Sequence, residues 1–514
     1  MIHNKTFFLF FCILFSTATA DVLLAQSGWF PEISPGHEIS SSSETFWRPD
    51  DDTDNSFSNR QSTVVADASL EKEKSLRLVE LISLGLRRNP SNLRAWQYAR
   101  ADAARLGEAK APYYPKVTFG AQVGKDNSVN NNETSFTPTT RVFSYGPELD
   151  ITYLLIDFGS RGFGKDAARQ TLISSNFQFN RTLQDTILAV ETAYFNLDSA
   201  RMKQKAREDN LNLAKATLQS VDIQMNSGLA NITQQLQAQQ TVAQAVFDLE
   251  SAKADVTMAQ ADLAKSVGLP ANAALNVEPP QGDPPLKELD TTVNGMIENA
   301  LVRRPDLAAK FAAFRSKLAL HKQSQRNILP TITGNLNIGR NFFDETVNAG
   351  TRGSDSPDGH TDNFAGSFVL SVDLFDGFLK WNKAREAKAT AEAARQELAA
   401  SEISAIAEVW NNYYNYKTSL KQLEAGRELV AASQKAFDST SISFKVGLSS
   451  IVDLLTAQNN LSSANLTFIT ARTSLFLASV NLAYSTGALA PPEKNEQPVI
   501  SALNKVDENK GAQK

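Results

Sequence analysis

The chain carries one design twice. Pro90 and Pro305 each follow an Arg-Arg pair (Arg87-Arg88 and Arg303-Arg304) and lie 215 residues apart. Pro115 opens Pro-Lys-Val-Thr-Phe-Gly, Pro330 opens Pro-Thr-Ile-Thr-Gly-Asn, and the separation is the same. Further on, a small insertion stretches the offset to 219. It pairs Asp157 with Asp376, Ser227-Gly228-Leu229 with Val446-Gly447-Leu448, and Gly268 with Gly487. An internal repeat of this length dictates architecture. Each unit reads helix, helix, strand, loop, strand, long helix, turn, helix. The first unit spans 74–270 and the second 290–489, joined by a linker over 271–289.

The strands alternate. In the first unit, over 115–124, Val117, Phe119, Ala121 and Val123 share one face and Lys116, Thr118, Gly120 and Gln122 the other. Over 147–156, Leu149, Ile151, Tyr153 and Leu155 oppose Glu148, Asp150 and Thr152. The second unit repeats the pattern over 330–339 and 364–375, where Phe364, Phe368, Leu370, Val372 and Leu374 oppose Ser367, Ser371 and Asp373. Strands of about ten residues with one apolar face suit an outer-membrane barrel wall, although a half-buried soluble sheet alternates in the same way. Four strands are too few to close a barrel, so either the sheet is soluble or several chains share one barrel. Long polar loops are expected over 125–146 and 340–363, at one end of the strands only, which is the outer-membrane asymmetry.

The helices strengthen the membrane reading. Residues 160–226 contain no proline and have glycine only at the start, and 378–446 match them in length. Leu183, Val190, Leu197, Leu211, Leu218 and Met225 stand at multiples of seven, the signature of left-handed supercoiling against neighbours. A helix of this length spans roughly 100 Å at 1.5 Å per residue. The shorter flanking helices, stacked end to end, nearly match it. Each unit therefore presents two parallel rods beneath two strands, a geometry that suits the wall of a tube.

Residues 1–20 read as a secretory signal: His3 and Lys5, an apolar run from Phe7 to Phe15, then Ala18-Thr19-Ala20 as a cleavage site. The run is short for a transmembrane anchor, and no later stretch is expected to be long and apolar enough to span a bilayer as a helix. The single cysteine, Cys12, lies in that leader, so disulfide and thiolate chemistry are not expected in the mature chain. The Ser-, Asp- and Asn-rich segment 21–73 and the polar tail 490–514 read as largely disordered. A formal net charge of −5 argues against a general nucleic-acid binder.

Arg303-Arg304-Pro305-Asp306-Leu307, Tyr153 to Gly159 and Val446 to Leu455, with their order, doubling and spacing, resemble the TolC-type outer-membrane efflux and secretion channels across about 75–489. The resemblance implies a fold of mixed class, an α+β membrane channel. In it a homotrimer shares one twelve-stranded β-barrel in outer-membrane lipid, continued by a long α-helical coiled-coil barrel in the periplasm. It implies a periplasmic adaptor and an inner-membrane transporter as partners, and no cofactor. Glu148, Asp150, Thr152, Ser371 and Asp373 would then line the barrel lumen. Gly228, Leu229, Val446, Gly447 and Leu448 would form the periplasmic tip where the adaptor docks; alternatively, the two glycines simply terminate the long helices. Asp453 falls where the family places a ring of acids at the tunnel entrance, and it is equally an acid favoured in a helix's first turn. Ser449 stands where an arginine would lock the closed tip, and Thr456 where a second acid would stand. The first repeat offers Gln234 at the position of Asp453.

Other signals carry less. Gly159 to Lys165 imitates a phosphate-binding loop, but Asp166 follows the lysine where a hydroxyl is needed, and the second repeat has no such loop. No histidine has metal-ligand spacing, and no nucleophile has a base nearby, so neither a metal site nor an enzyme is expected. The expected function is the passive exit duct of a tripartite efflux system, with type I protein secretion as the alternative. A secreted coiled-coil adhesin would explain the heptads but not the recurring strand pairs.

Overall fold

The computed structural model describes residues 75–129, 139–273, 275–280, 282, 292–348, 354–355 and 358–489. The expected leader, the polar segment 21–73, most of the linker and the tail from 490 lie outside the described residues. In chain order the elements are α1 (Leu78–Arg88), α2 (Pro90–Lys110), β1 (Lys116–Val129), β2 (Thr139–Ile156), α3 (Ser160–Asn226), α4 (Ile232–Ser266), α5 (Val293–Arg303), α6 (Pro305–Arg326), β3 (Thr331–Asn348), the two-residue β4 (Ser354–Asp355), β5 (Asp358–Ser371), α7 (Leu379–Lys445) and α8 (Ile451–Ser485).

The strands form one antiparallel sheet in the order β1-β2-β3-β5, with β4 on the end of β3. The register aligns the alternation across all four strands. Val117 faces Ile151, which faces Leu336, while Phe119, Leu149, Ile338 and Phe364 make the next apolar row. On the other face Asn337 donates to Asp150 (2.7 Å) and accepts from Asn363 (2.6 Å), a hydrophilic ladder across three strands. The apolar face is capped by aromatics. Tyr145 stacks on Phe342 at 5.3 Å, with Phe143 and His360 alongside. From this row to the Ile156/Ile332 row the belt is roughly 25–30 Å tall for strands tilted by about 40°, close to the apolar band of an outer-membrane barrel. Below it, where strands give way to helices, Tyr114, Phe158, Phe375 and Trp381 are exposed as a second girdle.

The strands are longer than expected, at 14 to 18 residues. Much of 125–146 and 340–363 is ladder rather than loop, so Phe342 and Phe343 lie within β3 and point to opposite faces. Apolar alternation marks only the stretch that meets lipid. Beyond it, strand pairing continues because backbone bonds are satisfied whatever the side chains. At the other end, β5 stops at Ser371, short of 375. Asp373 therefore lies in the strand-to-helix connection, paired with Lys380 at 2.8 Å, rather than on the sheet.

Both junctions use left-handed backbone. Phe158 and Gly159 have φ of +52° and +92°, and Gly377 and Phe378 have +66° and +64°. Asp157 accepts from the N–H groups of Gly159 and Arg161, and Asp376 from that of Lys380, which satisfies the first orphan donors of each long helix. The phosphate-loop imitation is thus the first turn of α3, with a carboxylate where a phosphate would bind.

Both long helices run 67 residues. In the half nearer the sheet α2 packs on α3, α3 on α6 and α6 on α7; in the far half α4, α3, α8 and α7 lie side by side. The short helices do stack along the long ones. Between the halves, α1 buries Leu81 and Ile82 against Ile187, Val190 and Leu197 of α3 and Val480 of α8. Part of the expected linker belongs here: Val277 is buried, and Leu76 N–H donates to Asn276 O (2.8 Å). One expectation needs correction. Ile451–Ser485 is long and apolar enough to cross a membrane, but 56% of its apolar window is buried in the protein, so α8 is a core helix.

Candidate channel tip and entrance

The two long helices end in the same turn. Leu229 N–H donates to Gln224 O (2.8 Å) and Gly228 N–H to Met225 O (3.0 Å); Leu448 and Gly447 repeat this onto Ser443 O (2.8 Å) and Phe444 O (3.1 Å). These are Schellman turns, which need left-handed backbone at the glycine. Gly228 and Gly447 have φ of +75° and +79°. A Cβ on either would meet nothing within 4 Å, so conformation rather than crowding requires glycine there. Gly268 and Gly487 close the shorter helices in the same way, but a Cβ there would press on the backbone of Arg88 and Arg303 at about 3 Å. The long-helix turns are free tips, while the short-helix turns are packed joints.

The free tips are apolar. Ile223, Leu229 and Ile232 are exposed on one and Val446, Leu448 and Val452 on the other, with Leu229 79% and Leu448 83% accessible. Exposed apolar clusters of this kind mark contact surfaces.

Each tip turn feeds a capping box. Asn231 Oδ1 accepts from Gln234 N–H (3.0 Å), and Gln234 Oε1 accepts from Asn231 N–H (2.9 Å). In the second repeat Ser450 Oγ accepts from Asp453 N–H (3.2 Å), and Asp453 Oδ2 accepts from Ser450 N–H (3.0 Å). Ser450 Oγ is also 2.7 Å from that oxygen. The Ser450 side chain, then its backbone, hold the exposed Asp453 carboxyl below its ordinary value. The first-turn role of Asp453 is therefore real: it satisfies helix donors and stays ionised. With Thr456, Ser433 and Asn460 it lines a notch between α7 and α8. Thr456 itself donates back to Val452 O (2.7 Å), and the Ser449 hydroxyl is buried without a hydrogen-bond partner among the described residues. Of the lumen candidates, Glu148, Asp150 and Thr152 share the hydrophilic face of β2, and Ser371 pairs with Thr331 on that face of β5.

Two further groups stand out: one lies in the Arg303–Leu307 motif, which did not reveal its partners, and the other lies outside every motif. At the packed joint, the buried Arg304 donates to Asp306 (2.8 Å), Glu408 (2.6 Å) and Ser485 O (3.2 Å), and Arg181 approaches Asp306 at 3.9 Å. Burial opposes the Arg304 charge, but the Asp306 and Glu408 carboxylates outweigh it and hold its pKa above the ordinary value. The first repeat makes the same joint with a neutral side chain, as Asn89 Nδ2 donates to Ser266 O (3.0 Å). The second group is Glu191, fully buried on α3, with neither carboxylate oxygen hydrogen-bonded. Burial alone pushes its carboxyl up to about 8. Gln184, Glu191 and Asp198 are seven residues apart, so a second, polar heptad stripe beside the apolar one was the available signal.

Known proteins resemble this chain in sequence and fold. The protein CyaE of Bordetella pertussis is 24% identical over 76% of this chain and 79% of its own length. Outer membrane protein TolC of Escherichia coli is 23% identical over 79% and 80%. A solved membrane protein from Pseudomonas aeruginosa superposes with a TM-score of 0.70 at 21% identity, covering 80% of this chain and 93% of that one. VceC of Vibrio cholerae gives 0.69 at 17% identity, over 80% and 96%. The family model described as outer membrane efflux protein matches residues 81–269 and 296–488, one match per repeat. A lipid-height apolar belt, two 67-residue helices beneath it and this doubled match lead to one conclusion: the chain belongs to the outer membrane efflux protein family, a family of channels rather than enzymes, with its sheet in the outer membrane and its helical tunnel in the periplasm.

Proposed function

We propose that three copies close one twelve-stranded barrel and form a passive exit duct for drugs or other small molecules. An inner-membrane pump drives it through a periplasmic adaptor. The observation that carries this reading is the pair of open edges. Among the described residues β1 and β5 each have one neighbour, yet their apolar faces are built for lipid. A sheet with unpaired edges cannot stand in a bilayer, because its free N–H and C=O groups have no water to bond. Pairing β5 of one copy with β1 of the next removes every edge. The helices support the same assembly: Ile403, Trp410 and Tyr414 leave an apolar stripe exposed along α7. Efflux is preferred to type I protein secretion because the family description names efflux.

In this assembly the apolar turns around Gly228, Leu229, Val446, Gly447 and Leu448 receive the adaptor. Three Asp453 carboxylates ring the entrance, with Gln234 as the neutral counterpart and Ser449 and Thr456 leaving the closed state weakly locked. The test is assembly in membranes followed by conductance. Leu370→Arg on the lipid face costs about 2–4 kcal/mol at mid-membrane and abolishes trimers, whereas Thr333→Arg on the hydrophilic face is tolerated. Equal tolerance of the two substitutions would sink the barrel. In channels that assemble, Asp453→Asn reduces cation selectivity.

A further inference from the structure

Where the strands pass into the long helices there is a cavity of about 540 Å³, within the range that holds small-molecule ligands. The first turns of α3 and α7, the last turn of α6 and the ends of β3 and β5 converge on it. Four cations line it, Arg161, Arg326, Lys380 and Lys383, against two carboxylates, Asp157 and Asp373. Both carboxylates are already committed. Asp157 caps α3 and faces Arg161 at 3.6 Å, and Asp373 is paired with Lys380. Arg161 is held in turn by the carbonyls of Pro112, Leu154 and Leu155.

Arg326 and Lys383 have no carboxylate within ion-pair distance among the described residues. Asn327 adds amide donors, since its Oδ1 is occupied by the Ser160 hydroxyl. The first turns of α3 and α7 are already capped by Asp157 and Asp376, and the last turn of α6 brings the negative end of its dipole, so the excess positive charge comes from the side chains. The cavity is thus net positive and donor-rich, with two cations that no carboxylate pairs. Thr331 and Ser371, which also line it, belong to the hydrophilic face of the sheet. The first repeat does not copy the arrangement: the counterparts of Arg326 and Gln323 there are Ala111 and Glu108.

We propose that this cavity is an anion-binding station on the transport path. It takes small molecules that carry a phosphate or several carboxylates, and Arg326 and Lys383 are its principal contacts. Its place in the lumen rests on the barrel reading above; the binding site itself does not. An anionic cargo would meet it at the step from helical tunnel to barrel, past the acidic entrance. A charge-assisted bond lost at each cation weakens binding by about ten-fold.

The test uses the full-length protein with pyrophosphate as the probe. Calorimetry on purified protein should show saturable binding, weakened at least about ten-fold in Arg326→Gln/Lys383→Gln and unchanged in Lys435→Gln, an exposed lysine elsewhere on α7. In planar bilayers pyrophosphate should lower the conductance of the parent channel and not of the double variant. No saturable binding, or equal weakening by Lys435→Gln, would overturn the site. Binding without any effect on a conducting channel would overturn its place on the path. Failure to form trimers or channels would strike the barrel reading, while the calorimetry would still report on the cavity.

Discussion

Glu191 and Trp410 occupy the same position in the two repeats, and their surroundings are opposite. Their neighbours Val190 and Val409 are both fully buried, which confirms the equivalence. Yet Glu191 is sealed inside the protein with no hydrogen bond, whereas Trp410 is 45% exposed and leans on Tyr414. The cause is the place of each helix in the wall. α3 has α2 and α6, or α4 and α8, on its two flanks, while α7 is the last helix in the row. A carboxylate inside and a tryptophan outside is the reverse of what a finished surface would have. The outside of α7 is therefore built to be covered, and α3 carries polar groups at its contact with the other repeat. The ion pair Arg472–Asp198 (2.6 Å) and the stacked rings of Phe195 and Phe476 set that contact, and Glu191 lies one heptad before Asp198 on α3. The joints differ in the same sense. The first repeat ties its short helices with the neutral Asn89 and the second with the charged Arg304 network.

The largest expected effect is at Glu191. Folding raises its pKa from the ordinary 4.5 to about 8, so the folded chain keeps a proton that the unfolded chain has lost. The sign follows: this contribution is full below 4.5 and is lost as pH rises to about 8. Between pH 5 and pH 8 the parent protein should lose about 3 kcal/mol more stability than Glu191→Leu. Chemical unfolding across that range is the measurement, and parallel pH profiles would show that Glu191 is not an unpaired buried acid. Glu substituted for Trp410, at the same position on the outer helix, should produce no such pH slope in the monomer.

The two joints come next. Arg304→Ala takes the bidentate cation from between Asp306 and Glu408 and leaves only Arg181, 3.9 Å from Asp306, nearby. The loss should be about 3 kcal/mol, the lower end for a broken buried pair, because both carboxylates still reach solvent. Asn89→Ala removes two neutral hydrogen bonds, the one to Ser266 O and the one from Ser91 N–H that caps α2, and should cost about 2 kcal/mol. Equal costs in denaturant unfolding would mean that the charged joint adds nothing to the neutral one. The smallest effect belongs to the tips. Gly447→Ala, in open space, should cost about 1 kcal/mol through positive φ alone. Gly487→Ala should cost more, since the backbone of Arg303 is also in the way. Comparing the two separates conformational strain from crowding, and a larger loss at Gly447 would contradict the free-tip geometry.

Much of this molecule was legible before folding was considered. Period-2 and period-7 patterns, the proline and glycine punctuation and the constant offset marked the membrane-proximal part of each strand, and the long helices and tip turns to within a few residues. They could do so because each reflects a local rule: side-chain alternation, supercoil geometry or a left-handed turn. The ends of the strands were not legible, because outside the membrane the ladder continues without apolar alternation. The apolar length of α8 was missed from sequence, where no spanning stretch was expected, and only its burial in the wall shows that it is a core helix.

Which of two equivalent positions lies inside was settled only by tertiary structure. The polar heptad stripe marks Glu191 as a position of interest, but nothing local distinguishes a helix with neighbours on both flanks from the last in a row, so the burial of Glu191 and the exposure of Trp410 could not be read from sequence. The Arg304 network joins residues of the second repeat about a hundred positions apart and takes in Arg181 of the first, and the cationic cavity joins both repeats. The repeat, its elements and their periods belong to the sequence by itself. The environments and partners of its charged groups were decided by the packing of helices within and between the repeats, because burial and pairing are properties of neighbours that the chain brings together only when it folds.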